Sequence, residues 1–349
     1  MTLKTLYQKI GFPRLIITVF FIALLIGAVV LNIPLAGLWS SIFVRFGMNA
    51  ILVLAMVPGI RAGIGINFNL ALGIVLGLLG AILSFEFGFQ GATGFLVANA
   101  IALPLAAIAG YLYGHMLNRV KGDEMTVSNY IGLSIVSFMC IVWIILPLTN
   151  RELIWPMGGK GLRVTISMEN SFGEFLNNLW AFPKGATGAS SFVFPTGMIV
   201  YFALWAAIVW AFNRSKAGSA MSAAGASELF ATSNGVNVNR YRILGTMIST
   251  ILAAAGIITY AQGFGFLQLY RAPLYMSMPA AASILIGGAT LKDARIIHVI
   301  IGTFLFQGLL VVALPVINVV SGGDMAEIVR VIVSNGIILY ALTRGGEEA

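Results

Sequence analysis

Residues 225–242 read "GASELFATSNGVNVNRYR" and lie between two of the most apolar runs in the chain, "GMIVYFALWAAIVWAF" before them and "ILGTMISTILAAAGIITYA" after them. A polar segment between apolar runs of this length is typical of a loop that joins two membrane-spanning helices. Ser227 is a favourable N-cap, Glu228 follows in the first turn, and Gly235 provides a C-terminal stop. The segment therefore predicts a helix of about two turns from Ser227 to Asn234.

The composition indicates a membrane protein. Hydrophobic residues make up 59% of the 349 residues and charged residues only 9%, whereas a soluble domain has roughly a quarter charged residues. The mean hydropathy is +0.96. The net charge of +8 lies in short segments between apolar runs, a pattern that orients helices in a bilayer, so no nucleic-acid partner is predicted. Cys140 is the only cysteine, which excludes an internal disulfide bond and a cysteine-based metal site.

Apolar runs long enough to cross the hydrocarbon layer predict about ten transmembrane helices. We therefore expect an all-α, polytopic membrane helix bundle that forms one transmembrane domain over residues 1–349. The eighth run is short enough to be a broken helix. The predicted spans are 15–35, 42–60, 66–84, 93–117, 126–148, 195–213, 241–262, 276–290, 296–318 and 325–343.

Glycine and proline residues within these spans predict how the helices pack. Gly73 and Gly77 form one GxxxG pair, and Gly110 and Gly114 form another, so both helices allow close helix contact. Pro58 lies in the second span, where a proline frees a carbonyl and bends the helix.

The distribution of Lys and Arg predicts that both termini are cytoplasmic, because most of the basic residues then face the cytoplasm. This topology makes 214–241 the longest cytoplasmic loop and 149–193 the long extracytoplasmic loop. The basic residues placed on the cytoplasmic side are Lys4, Lys9, Arg14, Arg61, Arg119, Lys121, Arg214, Lys216, Arg240, Arg242, Lys292, Arg295 and Arg344.

The extracytoplasmic loop contains "SFGEFLNNLW", in which Phe172, Phe175, Leu176 and Leu179 have the spacing of a short amphipathic helix. Two interpretations stay open: the helix closes the outer face of the bundle, or it offers a docking surface to an external partner.

The sequence lacks the motifs of an intramembrane enzyme. It has no phosphate-binding loop, no HExxH motif and no nucleophile elbow, so no catalytic or metal-binding residue is predicted. All twelve Asp and Glu residues can be placed in loops or at span boundaries, so an ion-coupled secondary transporter has no obvious proton carrier. Ion sites made from carbonyl and hydroxyl groups keep that alternative open.

The polar side chains that remain inside the predicted spans are mostly neutral amides. Several of them converging between helices could pass a neutral hydroxylated solute, or each could hydrogen-bond a neighbouring helix. The candidates for a translocation pathway are Asn67, Asn69, Asn99, Gln262 and Gln307.

The short cytoplasmic helix carries two apolar side chains, Leu229 and Phe230, where no bilayer is available to bury them. Because a helix of two turns is marginal alone, it must pack against something. A groove on a partner protein and the base of the bundle itself are equally consistent with the sequence.

The run "AAGASELFATSNGVNVNRYR" resembles the cytoplasmic loop of ATP-binding-cassette (ABC) importer permeases of the ribose and simple-sugar, nucleoside and branched-chain amino acid group. The sequence departs from that pattern at Ser227, where the family usually has Asn, and at Phe230, where it often has Ala. The matching positions are Ala223, Gly225, Ala231, Gly235, Val236 as a conservative change, Asn237, Val238 and Arg240.

Two further stretches are similar to the same family and occur in the same order. "GIRAGIGINFNLALG", residues 59–73, is similar to the segment before the family's third span. "ILIGGATLKDARIIHVIIGTFLFQGL" resembles the Ile-Gly-Gly and later Gly-Thr pattern near the C-terminus. The residues that carry these similarities are Arg61, Gly63, Asn67, Gly73, Gly287, Gly288, Leu291, Gly302 and Thr303.

The resemblance implies a large-type importer permease in a bacterial inner membrane. Such a permease works as a dimer with a second copy or a paralogue, receives solute from an extracytoplasmic solute-binding protein, and is driven by cytoplasmic ATPase subunits. ATP and Mg²⁺ are then bound by the partner ATPase and no cofactor by this chain. The solute is expected to be a simple sugar or nucleoside-like compound, with branched-chain amino acids next and a vitamin as a further alternative. The ATPase-coupling residues that this resemblance implies are Gly225, Ser227, Glu228, Leu229, Phe230, Gly235, Asn237 and Arg240.

Overall fold

The computed structural model describes residues 12–66, 70–155, 161–183, 191–270, 272–321, 331–332 and 335–339, and it is mostly helical over them. Its elements, in chain order, are α1 (Phe12–Val30), α2 (Leu35–Leu54), α3 (Met56–Arg61), α4 (Leu70–Glu86), α5 (Gly91–Leu117), α6 (Glu124–Ile145), β1 (Thr165–Ser167), α7 (Phe175–Asn178), α8 (Thr196–Arg214), α9 (Lys216–Ala226), α10 (Glu228–Ser233), α11 (Val238–Phe264), β2 (Phe266–Gln268), α12 (Ala272–Tyr275), α13 (Ser277–Ile286) and α14 (Ile296–Ser321).

Six helices are long and apolar enough to cross a membrane, counted within the described residues. They are joined by three shorter apolar helices, and together the two sets coincide with every predicted span except 325–343, most of which lies outside the described residues. The protein is therefore a multi-pass helical membrane protein. The six helices cover Leu35–Arg61, Gly91–Leu117, Glu124–Ile145, Thr196–Arg214, Val238–Phe264 and Ile296–Val320, and the shorter ones Arg14–Val30, Leu70–Glu86 and Ala272–Ile286.

Two of the predicted spans were expected to depart from a straight helix of full length, the second by a bend at Pro58 and the eighth because it is short. The second is interrupted at Ala55, just before Pro58, whose ring crowds the preceding turn and which has no N–H to donate. This span also begins at Leu35, directly after Pro34, earlier than the predicted residue 42. The eighth corresponds to α13, a helix of 10 residues that ends at Gly287, and the separate short helix α12 precedes it.

The expectation of an all-α chain needs one correction, because the structure contains a small antiparallel sheet. Strand β1 pairs with β2, so that Thr165 faces Gln268 and Ser167 faces Phe266. The central side chains of the two strands, Ile166 and Leu267, are buried. These three-residue strands are too short for an alternating pattern to distinguish them in the sequence.

The predicted extracytoplasmic loop, residues 149–193 and called the outer loop below, packs over one end of the bundle in its described parts. It contains a helix where one was predicted, but α7 covers only Phe175–Asn178. Phe172 precedes that helix, and both it and Leu176 are buried against the bundle core. The loop thus closes this end of the bundle, as the first of the two interpretations predicted.

Helix α11 is packed through small residues against α4 and α5. A Cβ atom placed on Gly77 of α4 would lie 2.6 Å from the carbonyl oxygen of Ala254, and one on Gly110 of α5 would lie 2.9 Å from Cα of Met247. Both distances are too short for a real Cβ, so the backbones approach as closely as GxxxG pairs allow. The predicted contact role is confirmed for all four glycines, Gly73, Gly77, Gly110 and Gly114.

The opposite side of α11 packs on the broken second span. Gly245 faces the carbonyl oxygen of Pro58, 2.9 Å from where its Cβ would be, and Gly256 faces Leu52. At the break between α2 and α3, the hydroxyl group of Ser249 donates a 2.7 Å hydrogen bond to the carbonyl of Ala55. Helix α11 is therefore surrounded by other helices at the centre of the bundle.

We expect Gly110→Leu to destabilise the protein, because its side chain has no space beside Met247 and Thr250. Overpacking costs about 1–3 kcal/mol, occasionally more. Thermal unfolding of the purified protein in detergent, followed by circular dichroism, measures the loss. Gly336→Leu is the control, since a Cβ there meets no atom within 4 Å in the described part of the chain. Equal unfolding temperatures for the two variants would contradict the close packing.

Candidate functional site

The polar segment between α8 and α11 contains two short helices, and three side chains cap the helices in this region. Ser215 accepts a hydrogen bond from the Gly218 N–H at the start of α9, and Ser227 accepts one from the Phe230 N–H at the start of α10. Asn237 caps α11 in the same way. The predicted helix is confirmed as α10, and Gly235 follows it with a φ of +78°. Helix α9 was not predicted.

Helix α10 packs on the bundle through one of its faces. Ala231 is buried and packs with Ala224 of α9 and Val238 of α11. At the first turn, Glu228 forms an ion pair with Lys121, which follows the end of α5. The side chains of this face fix the direction of a helix that is too short to be stable alone.

The face of α10 that is turned away from the bundle is apolar and exposed. The side chains of Leu229 and Phe230 are 85% and 64% exposed. The helix therefore packs on the base of the bundle through one face and leaves these two side chains available on the other. Packing of the short helix on the bundle, which the structure shows, is thus compatible with docking of a partner on its other face.

The first and second of the three family-like stretches meet directly. A Cβ on Gly63 would lie 2.8 Å from Cα of Gly225, and Gly63 itself has a φ of +73° that favours glycine. Next to this contact, the guanidinium group of Arg61 donates hydrogen bonds of 2.6 and 3.0 Å to the hydroxyl of Ser222 in α9. The loop after α3 is therefore fixed to the segment that leads into α10.

A buried arginine joins this contact to α11. Arg242, in the first turns of α11, is 5% exposed and forms an ion pair with Glu124 at the start of α6. It also donates hydrogen bonds to the Asn118 side chain at 3.1 Å and to the Gly63 carbonyl at 3.3 Å. One side chain thus connects α11 with the start of α6, the end of α5 and the loop after α3. In the sequence, Arg242 stands out only as one of the predicted cytoplasmic charges, and nothing local distinguishes it from Arg240.

The third family-like stretch packs α13 against α14. A Cβ on Gly302 would overlap the carbonyl oxygen of Ser283 and lie 2.8 Å from the Gly287 backbone nitrogen. Arg14 of α1 donates a hydrogen bond to the Gly287 carbonyl, where α13 ends. A cation at this position complements the negative end of the helix dipole.

Two of the candidate pathway amides, Asn99 and Gln262, form hydrogen bonds within the protein. Asn99 donates to the Phe95 carbonyl and accepts a 3.1 Å hydrogen bond from Tyr201 of α8. Gln262 is fully buried and accepts a 3.0 Å hydrogen bond from the Leu176 N–H of the outer loop. Both residues therefore have the structural role that the sequence analysis gave as the alternative. Gln307 is buried in α14, and Asn67 and Asn69 lie outside the described residues.

Buried hydroxyl groups are the polar feature that the sequence analysis missed. Thr303 lies one turn before Gln307 on the same face of α14, and its hydroxyl has no hydrogen-bond partner within the described part of the chain. The spacing of four residues could have revealed this pair. Helix α11 adds buried Thr246, Ser249, Thr250 and Thr259.

Cavities lie near both ends of α11. One of about 630 Å³ lies beside its first turns and Tyr111 of α5. Another of about 410 Å³ lies where α11 ends at Phe264, against Glu169 and Glu174 of the outer loop. No group of three or more His, Cys, Asp or Glu side chains able to hold a metal occurs among the residues that the structure describes.

Comparison with known protein families gives one match. Residues 38–342 match the family described as "Branched-chain amino acid transport system / permease component". No curated protein is similar enough to the chain to count as a relative.

We expect Arg242→Gln to destabilise the protein strongly, because the partly buried Glu124 would lose its cation and the sites around Gly63 and Asn118 would lose their donor. Removal of one partner of a buried ion pair costs about 3–5 kcal/mol. The double variant Arg242→Gln, Glu124→Gln should lose less than the sum of the two single losses, measured by thermal unfolding in detergent. Lys121→Gln is the control, since its ion pair with Glu228 is exposed and worth at most about 1 kcal/mol. A similar loss in Arg242→Gln and Lys121→Gln would disprove the buried network.

Proposed function

The chain belongs to the family of branched-chain amino acid transport system permease components, and we propose that it forms the translocation pathway of an ATP-driven importer for a small polar solute. A permease component of this kind is not itself catalytic, and ATP hydrolysis belongs to a separate subunit. The observation that carries the proposal is α10, a capped helix held rigidly on the bundle with two exposed apolar side chains.

In this proposal the ATPase subunits contact the protein through α10. Leu229 and Phe230 enter a groove on the ATPase, which binds ATP and Mg²⁺. The side chains of Ser227, Gly235 and Asn237 define where the surrounding helices begin and end, and Gly225 provides the close contact with Gly63. Movement of α10 on ATP binding would then be passed to α11 through the short connection that ends at Asn237.

The proposed arrangement in the membrane follows from the charge distribution and the family. About ten spans and two cytoplasmic termini place α10 on the cytoplasmic side of a bacterial inner membrane. The permease pairs with a second copy or a paralogue, and a solute-binding protein docks on the outer loop, residues 149–193. The outer loop suits this role because it is folded on the end of the bundle around buried Phe172 and Leu176.

The proposed solute is a simple sugar or a nucleoside-like compound. Two observations support this choice over a branched-chain amino acid. The stretch "GIRAGIGINFN" is nearer to the sugar branch of the resemblance, and the described polar groups buried in the bundle are neutral amides and hydroxyls, apart from the ion-paired Arg242. Thr303 and Gln307 are the described side chains best suited to contact a hydroxylated solute, because one buried hydroxyl there has no partner among the described residues.

We expect the double variant Leu229→Ser, Phe230→Ser to lose most ATPase association and transport. Each buried apolar side chain contributes about 1.5–3 kcal/mol, so the loss should exceed tenfold. Co-purification of the ATPase from detergent and solute uptake by cells measure the two effects. Phe87→Ser is the matched control, since Phe87 is also 64% exposed but follows α4 at the outer end. If the double variant binds the ATPase normally, α10 has no docking role. If the unchanged protein binds no ATPase at all, the importer proposal is refuted.

Uptake measurements should distinguish the solute classes. Cells that produce the permease with its ATPase and solute-binding protein should accumulate labelled ribose or adenosine faster than labelled leucine. Depletion of ATP should abolish this accumulation, and a protonophore added at constant ATP should leave it unchanged. Faster leucine uptake would contradict the solute assignment. Uptake that follows the proton gradient and not ATP would instead support an ion-coupled carrier.

A further inference from the structure

The 630 Å³ cavity beside the start of α11 is not explained by the importer mechanism. It opens between the last turns of α5 and the first turns of α11. Its volume lies within the range of about 300–1,000 Å³ that is usual for ligand pockets. The lining residues are Tyr111, His115, Asn237, Asn239, Arg240, Ile243, Leu244 and Met247.

The polarity of this cavity changes along α11. Asn237, Asn239 and Arg240 lie at the start of the helix, while Leu244 and Met247 lie further along it. At 1.5 Å per residue, Arg240 and Met247 are separated by about 10 Å along the helix axis. The cavity therefore has a polar, basic end at the terminus of a membrane-crossing helix and an apolar end within that helix.

The basic end has the features of an anion site. Arg240 is exposed, and its guanidinium group makes no hydrogen bond or ion pair within the described part of the chain, in contrast to the fully engaged Arg242. His115 lies on the facing end of α5, its ring 4.6 Å from that of Tyr111. Arg240 and His115 line the same cavity, which the N-terminus of α11 also borders. The dipole of that helix favours negative charge at its N-terminus.

We propose that this cavity binds an anionic phospholipid. The phosphate group is held by Arg240, His115 and the N-terminus of α11, and an acyl chain lies along Leu244 and Met247. Basic pockets between membrane helices at the cytoplasmic boundary are suited to such headgroups. An acyl chain also has direct access, because Leu112 and Met116 beside the cavity are exposed on the apolar face of α5.

The site adjoins the region proposed to contact the ATPase. Asn237 and Asn239 line this cavity and also a second one of about 400 Å³, which is bordered by Lys121 and Glu228. A bound lipid would therefore contact the same short connection that joins α10 to α11. This inference concerns lipid binding by the chain itself and does not depend on the importer proposal.

The test uses the full-length protein in a neutral detergent, with lipid retention measured by native mass spectrometry. Phosphatidylglycerol and phosphatidylcholine with identical acyl chains are added separately. We expect selective retention of phosphatidylglycerol, with binding weakened on the order of fivefold by Arg240→Gln and further by the addition of His115→Gln. Lys216→Gln is the control, because it removes an exposed positive charge from the same segment but does not line the cavity. Excess inorganic phosphate should not displace the lipid.

Four results would overturn the proposal. Equal retention of the two lipids would show that the headgroup charge is not recognised. An equal effect of Lys216→Gln and Arg240→Gln would show that only the overall charge matters, and displacement by inorganic phosphate would identify a phosphate site without a lipid. In membranes, the variant Leu244→Cys, with Cys140→Ser, should also form no disulfide-linked dimer on oxidation. A disulfide-linked dimer would show that a second copy of the chain covers this cavity.

Discussion

The close approach of α4 and α5 to the backbone of α11 is the interaction on which the rest of the structure depends. Helices in a lipid bilayer gain little from burying apolar surface, so they associate through van der Waals packing and hydrogen bonds. Gly77 and Gly110 remove the side chains that would separate these backbones, and Ala254 of α11 is correspondingly small. Because Gly245 and Gly256 repeat this arrangement toward the second span, α11 has close backbone neighbours on opposite sides. Its position cannot change without moving these helices as well.

This central helix connects the two ends of the protein. At one end it begins at Asn237, directly after α10, and Arg242 links its first turns to the loops around Gly63 and Asn118. At the other end, buried Gln262 receives a hydrogen bond from the outer loop, and the chain then forms β2 against that loop. Contacts at the α9–α10 segment and at the outer loop are therefore made to a single helix, which gives a physical route by which one end can affect the other.

Local physical chemistry was sufficient to predict much of this architecture. Apolar run length predicted the helices, Pro58 predicted a bend where the second span is interrupted, and the pattern of Ser227 and Gly235 predicted α10. The parts that could not be predicted depend on residues far apart in the chain. Strands β1 and β2 stabilise each other only because α11 ends beside the outer loop. Asn99 is polar in the sequence whether it faces a solute or Tyr201, and only the packing of α8 against α5 decides between these roles.

The short helix α10 shows why burial on one face matters for function on the other. A six-residue helix has too few internal hydrogen bonds to persist in water, so an isolated α10 would lose its shape before meeting any partner. Ala231, the ion pair from Lys121 and the cap of Ser227 fix it in advance. The entropy cost of ordering the helix is therefore met by folding and not by association. Leu229 and Phe230 are consequently presented in one orientation, on a helix joined directly to the start of α11.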